Sequence, residues 1–374
     1  MAKIREPNAN ITAALEKHSK ALETIDTTVK EEYEIPSGYI PIELSTHGLL
    51  GAPKRFHTRN FDTSDLLNLA LSEDDELPEK VAKMLDNLIL EEEVSAMNFH
   101  EKEVVEYLAR LYQAFFANTL KDIEFPWDDT DLEFLETKYG GRDSAAAKER
   151  INDLKVRRWV PKIDIDLSKV ETYDLDPATF KTKIFLTDKA TGFKAGFSYP
   201  RYGDVVVLRN FLLQVFREQD KQYSNIRDVL KFRRDAQERI LKGEEISLAR
   251  LPNIPDVEKD KYRQYETEKS IFSAVAIKAL HLIQFDGKDV SKAPLKDRIE
   301  LAKDPRVDYK MMKTVNEFYD TMKIGLKEDI LMVNPIKGVE EARKYSFRLI
   351  DLLQAARMAG NTQFDIEFES EDIE

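Results

Sequence analysis

The chain has no cysteine in 374 residues, five histidines and two tryptophans. The absent thiol excludes disulfides, thiolate zinc sites, iron–sulfur clusters and a cysteine nucleophile. Long apolar runs are missing too. The most apolar windows, Val205–Phe216 and Ile271–Phe285, are interrupted by Arg209 and by Lys278 and His281. Both fall short of the roughly 20 apolar residues that span a bilayer. The first stretch, Met1–Lys20, lacks the apolar centre of a secretory signal. A soluble protein made in a reducing compartment, with no membrane span, is expected.

Charge is what the chain does have. Lys and Arg number 57 against 70 Asp and Glu, a net charge of −13. That balance argues against a dedicated binder of nucleic acid, which depends on clustered cations. The basic pieces Lys155–Arg158 and Lys231–Arg234 and the acidic runs Glu73–Glu76 and Glu91–Glu93 are short and soon countered, as on solvated helix faces. With 42% hydrophobic and 10% aromatic residues the chain is apolar enough to fold.

The pattern predicts an α+β fold, predominantly α-helical, with two short antiparallel β hairpins. Residues 1–34 read as a weakly apolar helical arm, with Ile11, Leu15 and Leu22 at helical spacing, which gains structure by docking. A hairpin plus helical domain follows over 35–125, pairing Tyr39–Leu44 with Lys54–Arg59 around Gly48 and Gly51. Its expected helices are Asp65–Leu71 capped by Thr63, one opened by Pro78, and a long one capped by Asn98 through Val104, Leu108, Leu111 and Phe115. A helical connector occupies 126–160. A small β subdomain, 161–204, holds the alternating Ile163, Ile165 and Leu167 and a hairpin of Lys183–Thr187 with Phe193–Tyr199. A helical C-terminal domain, 205–374, is read as helices over 205–217, 223–242, 255–285, 293–303, 309–326 and 340–359, with a short strand at 363–369.

Chemistry-bearing constellations are few. Asp164-Ile-Asp166 puts two carboxylates on one strand face, which could hold a metal or mark the solvent side of a half-buried strand. His47 and His57, with Glu43, could face each other across the first hairpin and hold zinc, but lack a further ligand. His281 lies in an apolar helix and reads as a core or interface residue. Pro200-Arg-Tyr-Gly-Asp204 reads as a turn into a helix, with Arg201 and Tyr202 placed to anchor a protein contact. No P-loop, GxGxxG, HExxH or nucleophile elbow is present. No catalytic residue, metal or cofactor is expected.

One stretch carries a resemblance. Tyr39-Ile-Pro-Ile-Glu-Leu-Ser-Thr-His-Gly48, the extended piece ending in Arg59, Thr63-Ser-Asp-Leu-Leu67, the Leu-Pro helix with Leu85-Asp-Asn-Leu-Ile89, and the aromatic helix Glu103–Phe116 follow in that order. This order resembles baseplate-hub and tail-assembly proteins of large contractile-tailed bacteriophages, over residues 39–125. Ser45-Thr46 stands where proline-serine is usual, and three residues rather than two separate Arg59 from Thr63. The C-terminal cysteine pairs of some such proteins are absent, and with them a zinc-knuckle role. The resemblance implies a structural role in the virion tail or baseplate, or an assembly chaperone that leaves before maturation. The implied partners are other tail and baseplate proteins, which the acidic excess suggests carry basic patches. A metal-dependent enzyme using Asp164 and Asp166 is the remaining alternative.

Overall fold

The computed structural model describes residues 35–62, 65, 77–241, 254–348 and 352. Ile11, Leu15 and Leu22, the Thr63-capped helix beyond Asp65, and the pieces expected over 349–359 (except Leu352) and 363–369 lie outside the described residues. Contacts divide the chain into Met1–Tyr39 and Ile40–Glu374. Of the first unit, residues 35–39 form a turn in which Gly38 takes φ +95° and Tyr39 N–H donates to the Pro36 carbonyl.

The second unit is built around the helix that the sequence marks most clearly. Helix α2 (Glu101–Phe115) buries Val104, Tyr107, Leu108, Leu111 and Tyr112, the helical spacing of one broad apolar face. Its cap is His100 rather than Asn98: the His100 ring accepts from Lys102 N–H, and Glu103 reaches back to His100 N–H to close a capping box. Asn98 ends a single 3-10 turn, Ala96–Asn98. Against α2 pack α1 (Leu77–Leu88) and the hairpin of β1 (Ile40–Ile42) and β2 (Phe56–Thr58). Phe56, Phe99 and Tyr107 meet there with ring centres 5.1–6.2 Å apart. Tyr107 is fully buried and its hydroxyl is 2.6 Å from Thr58 Oγ1.

The β1–β2 loop is fixed by carboxylates. Glu103 and Glu106 are both fully buried. Glu106 accepts from the Ser45 N–H and hydroxyl, and Glu103 from Thr46, Gly51, Ala52 and His100. Gly51 has no room for a side chain, since a Cβ there would lie 1.7 Å from the Asn98 carbonyl oxygen.

The same core reaches far along the sequence. Strand β3 (Thr119–Glu124) pairs antiparallel with β4 (Lys162–Asp166), so Ile165 and Leu167 face α2, not the hairpin that follows them. Helices α3 (Asp129–Lys138) and α4 (Ala145–Lys155) cover β3 and β4 with Leu135 and Leu154. The last described elements, β9 (Asp329–Asn334) and β10 (Val339–Lys344), form a hairpin that adds Ile330, Met332 and Ile336, followed by Phe347 and Leu352. The helix expected from 340 is therefore a strand at its start. Pairing with β9 overrides the helical propensity of Glu-Glu-Ala-Arg-Lys.

Between these two contributions lie two further cores. One is a four-stranded antiparallel sheet ordered β5 (Lys183–Thr187), β6 (Lys194–Ser198), β7 (Leu282–Phe285), β8 (Lys288–Asp289). Its inner face meets α8 (Tyr309–Thr321) through Phe197, Leu282 and Val315. The expected hairpin is present and gains two strands, because the helix predicted to run to Phe285 ends at His281. In the other core, α5 (Tyr202–Leu241), α6 (Asp256–His281) and α7 (Leu295–Ala302) meet at Leu208, Ala276, Ala279 and Ile299. Helix α5 joins two expected helices into one of 40 residues, because Glu218–Gln222 contains no breaker. At 1.5 Å per residue it is about 60 Å long. The chain is thus predominantly helical with short antiparallel strand pairs. Among the described residues no helix is long and apolar enough to cross a membrane.

Candidate functional site

The outer face of the four-stranded sheet forms a groove. Strand alternation sends Ile184, Leu186 and Phe197 to the inner core and turns Lys183, Phe185, Ser198 and Gln284 outward. Gly196 lies opposite Phe185 in the register, and a Cβ there would meet the Phe185 ring at 2.8 Å. The glycine lets that ring lie across the strand while 60% of Phe185 stays exposed. Arg201 and Asp204, at the start of α5, and Arg298 on α7 close the sides of a cavity of about 600 Å³.

Its electrostatics depart from the rest of an acidic molecule. Lys183, Arg201, Lys292 and Arg298 line it against Asp204 and Asp289. Among the described residues none of the four cations makes an ion pair. Arg201 donates to the Asn98 side-chain oxygen at 3.3 Å and Arg298 to the Leu280 carbonyl at 3.4 Å. Arg298 Nε is buried without a partner. Both carboxylates are engaged locally: Asp204 accepts Arg201 N–H at 3.0 Å, and Asp289 accepts Ser291 N–H at 2.8 Å.

Of the residue pair expected to anchor a contact, Arg201 is exposed in this groove. Tyr202 is a correction to the sequence reading. It is 3% exposed, its hydroxyl donates to the Pro78 carbonyl at 3.2 Å, and its N–H donates to Phe99 at 2.6 Å. The ring is the pin between α5 and the first core. Burial pushes its phenol above the usual range.

A second cavity, of about 590 Å³, opens where the three cores meet, lined by His100, Tyr173, Tyr199, His281 and Tyr319. Tyr199 sits 5.3 Å from His100 and 4.3 Å from Tyr319, and Tyr319 lies 5.2 Å from His281. Hydrogen bonds assign the tautomers. His100 Nδ1 accepts from Lys102 N–H, which leaves the proton on Nε2. His281 Nδ1–H donates to the Ser198 carbonyl, which leaves Nε2 bare. Burial, with the nearby Lys102 charge, pushes His100 down to about 4, and burial also lowers His281. The rim carries Lys102, Lys323 and Lys344 beside Glu101, Asp320, Glu328 and Asp329.

These histidines predict an acid transition. A histidine held neutral by the fold contributes stability that is present above its unfolded pKa and lost as pH falls through the folded one. For His100 the window runs from about 6.5 to about 4, and the loss is about 3 kcal/mol at 1.36 kcal/mol per pH unit. His281 adds to it in the same direction. Urea midpoints measured across this range should fall with pH. The His100→Asn variant keeps a capping acceptor and should flatten the profile; an unchanged slope in that variant would refute the assignment.

The remaining sequence candidates are occupied by local structure. Asp164 accepts Asp122 N–H at a β3 bulge where Asp122 takes φ +59°. Asp166 caps the 3-10 turn that follows it by accepting Ser168 N–H and its hydroxyl. His57 Nδ1 is 2.7 Å from Glu91, whereas His47 lies 3.9 Å from Asp174 and Glu43 lies 4.0 Å from Arg55. The two histidines are held by different acids. Among the described residues no group of three or more His, Asp and Glu side chains could hold a metal ion.

Sequence reasoning reached Arg201 and missed Lys183, Phe185, Lys292 and Arg298. The one local signal was Gly196 inside an otherwise β-prone strand, a mark of close approach by another group. Compared with known proteins, the chain matches no family model, no curated protein and no solved structure.

Proposed function

We propose that this chain is a structural or assembly protein that works through contacts with other proteins. On the resemblance of residues 39–125, it serves in the tail or baseplate of a contractile-tailed bacteriophage. The observation that carries the protein-contact reading is the antiparallel pair α5 and α6. Helix α5 meets the first core at its start, through Tyr202 and through an Asn210 side-chain donation to Glu79 at 3.2 Å. Farther along, its partner is α6. Phe211, Phe216 and Tyr223 interleave with Phe272, Tyr265 and Tyr262, and Asp220 accepts from Tyr265 and Lys269 at 2.6 Å.

A seam of aromatics with one ion pair is a stiff way to carry a helix pair away from its anchor. The pair also leaves Val215, Phe232, Val257 and Ile271 exposed. Isolated exposed apolar residues are ordinary. Their presence along a helix pair anchored at one end supports a surface that a neighbour covers.

Replacing residues 222–263 with a short Gly-Ser linker tests the proposal. The shortened chain should keep a cooperative melt and lose its place in the particle, read by mass spectrometry of purified tails. Normal incorporation of the shortened chain would sink the reading of the α5–α6 pair as a contact surface. Complete absence of the native chain from mature tails, with recovery on unassembled hub proteins, would replace the structural role with that of a chaperone.

A further inference from the structure

We propose that the groove on the outer face of the four-stranded sheet takes an extended, acidic segment of a partner protein. The choice of a protein segment over a free anion rests on the protein-contact reading above; the charge argument does not. In a molecule of net charge −13, four cations converge on one concave surface with no ion pair among the described residues. Most other described cations near a carboxylate have taken it, as Lys269 takes Asp220 and Lys337 takes Asp131. Four cations against two carboxylates, with Asp289 already in the field of Lys183 and Lys292, leave the groove an excess of positive charge that a complementary surface would offset.

Shape favours an elongated ligand. A second recess of about 230 Å³, lined by Leu49, Leu50 and Thr182, shares Lys183, Ser198, Tyr199 and Arg201 with the groove. The joined surface runs from α7, across the sheet, to the β1–β2 loop. A single phosphate would engage one end of it. The half-exposed Phe185 ring and Ile283 add an apolar floor between cations, which suits a strand that alternates acidic and apolar side chains. Arg201 and Arg298 supply forked donors that match carboxylates. A long polyanion such as DNA would have to approach against the net charge of the whole molecule.

The experiment is fluorescence anisotropy on the full chain with a labelled peptide of about ten residues alternating Glu or Asp with Leu, a length matched to an extended strand across the sheet. Saturable binding is expected, falling with salt and weakened about tenfold or more in the Lys183→Glu/Lys292→Glu variant. Both lysines are exposed, so the variant should melt as the native chain does. Phe185→Ala, at an exposed position, should weaken binding without changing the melt. Three results would overturn the proposal: no saturation, equal affinity in the charge-reversed variant, or displacement of the peptide by inorganic phosphate or a single-stranded oligonucleotide at the same concentration. A chain that enters tails normally but ignores the peptide would fail here alone. A chain absent from tails would instead fail the function proposed above.

Discussion

Replacing Glu103 with alanine should lower stability by about 3–5 kcal/mol, the range for stripping the partner from buried, hydrogen-bonded groups. Glu103 accepts from four donors in a site with no solvent: Thr46 Oγ1 at 2.5 Å, Gly51 and Ala52 N–H at 3.2 Å, and His100 N–H at 2.7 Å. Alanine leaves all four facing a void. The β1–β2 loop and the first turn of α2 then lose the group that joins them.

Glutamine is expected to behave differently. The three backbone donors all converge on one carboxylate oxygen, Oε2, while the hydroxyl of Thr46 binds the other. A glutamine carbonyl can occupy the first place, and its amide can donate to Thr46 Oγ1, which accepts as readily as it donates. Burial also pushes the Glu103 carboxyl up despite its donors. A raised carboxyl contributes stability that is present at low pH and lost as pH rises through its folded pKa. Glu103→Gln should therefore cost about 1 kcal/mol, the net worth of a typical hydrogen bond, and remove that alkaline-side loss. Urea midpoints for the two variants measure both claims. Equal costs for alanine and glutamine would show that packing, not hydrogen bonding, sets the value.

The second large effect is expected at Arg343. This side chain, 6% exposed in β10, donates to Asp131 at 2.8 Å, to Glu341 at 2.6 Å and to Asp128. Asp131 is fully buried at the start of α3, where it also receives Asn334 at 2.7 Å and Lys337 at 3.2 Å. Arg343→Met keeps an unbranched apolar stem and removes the charge from beside a fully buried carboxylate. Breaking one side of such a network costs about 3–5 kcal/mol. Adding Asp131→Asn neutralises the stranded carboxylate and keeps a capping oxygen for α3. The double variant should be more stable than Arg343→Met alone. Thermal melts over the four-variant cycle read the coupling directly; additive losses would show that the two groups are independent.

Parts of the first core and of the four-stranded sheet were legible because their signals are local. The apolar spacing in α2, the Pro78 start of α1 and the Gly192 turn at φ +73° each follow from a few adjacent residues. Strand β3 was hidden because its bulge at Asp122 breaks the alternation that would have marked it. Strand β9 was hidden differently. Leu331 and Val333 point outward between the buried Ile330, Met332 and Asn334, so an apolar run masks a period of two. Strand β10 reads as helix until its pairing partner is known. Tyr202 looked like a surface anchor because the carbonyl that holds it belongs to Pro78, more than a hundred residues earlier. Beyond Gly196 the groove had no sequence signature, since its cations come from four segments between residues 183 and 298 that only the fold unites.

The placement of β9 and β10 has a consequence for how this chain is made. The core around α2 is closed by Ile330, Met332, Ile336 and Phe347, while the two other cores are assembled from residues between 184 and 319. On the ribosome, the β1–β2 hairpin and α2 therefore emerge well before the last residues of their own core, and the segment that follows them can complete its two cores first. The nascent α2 must hold an open apolar flank for the time it takes to synthesise some two hundred further residues. At roughly 5–20 residues per second that wait is on the order of ten seconds or more, an interval in which the unsealed flank is open to chaperones and to aggregation alike.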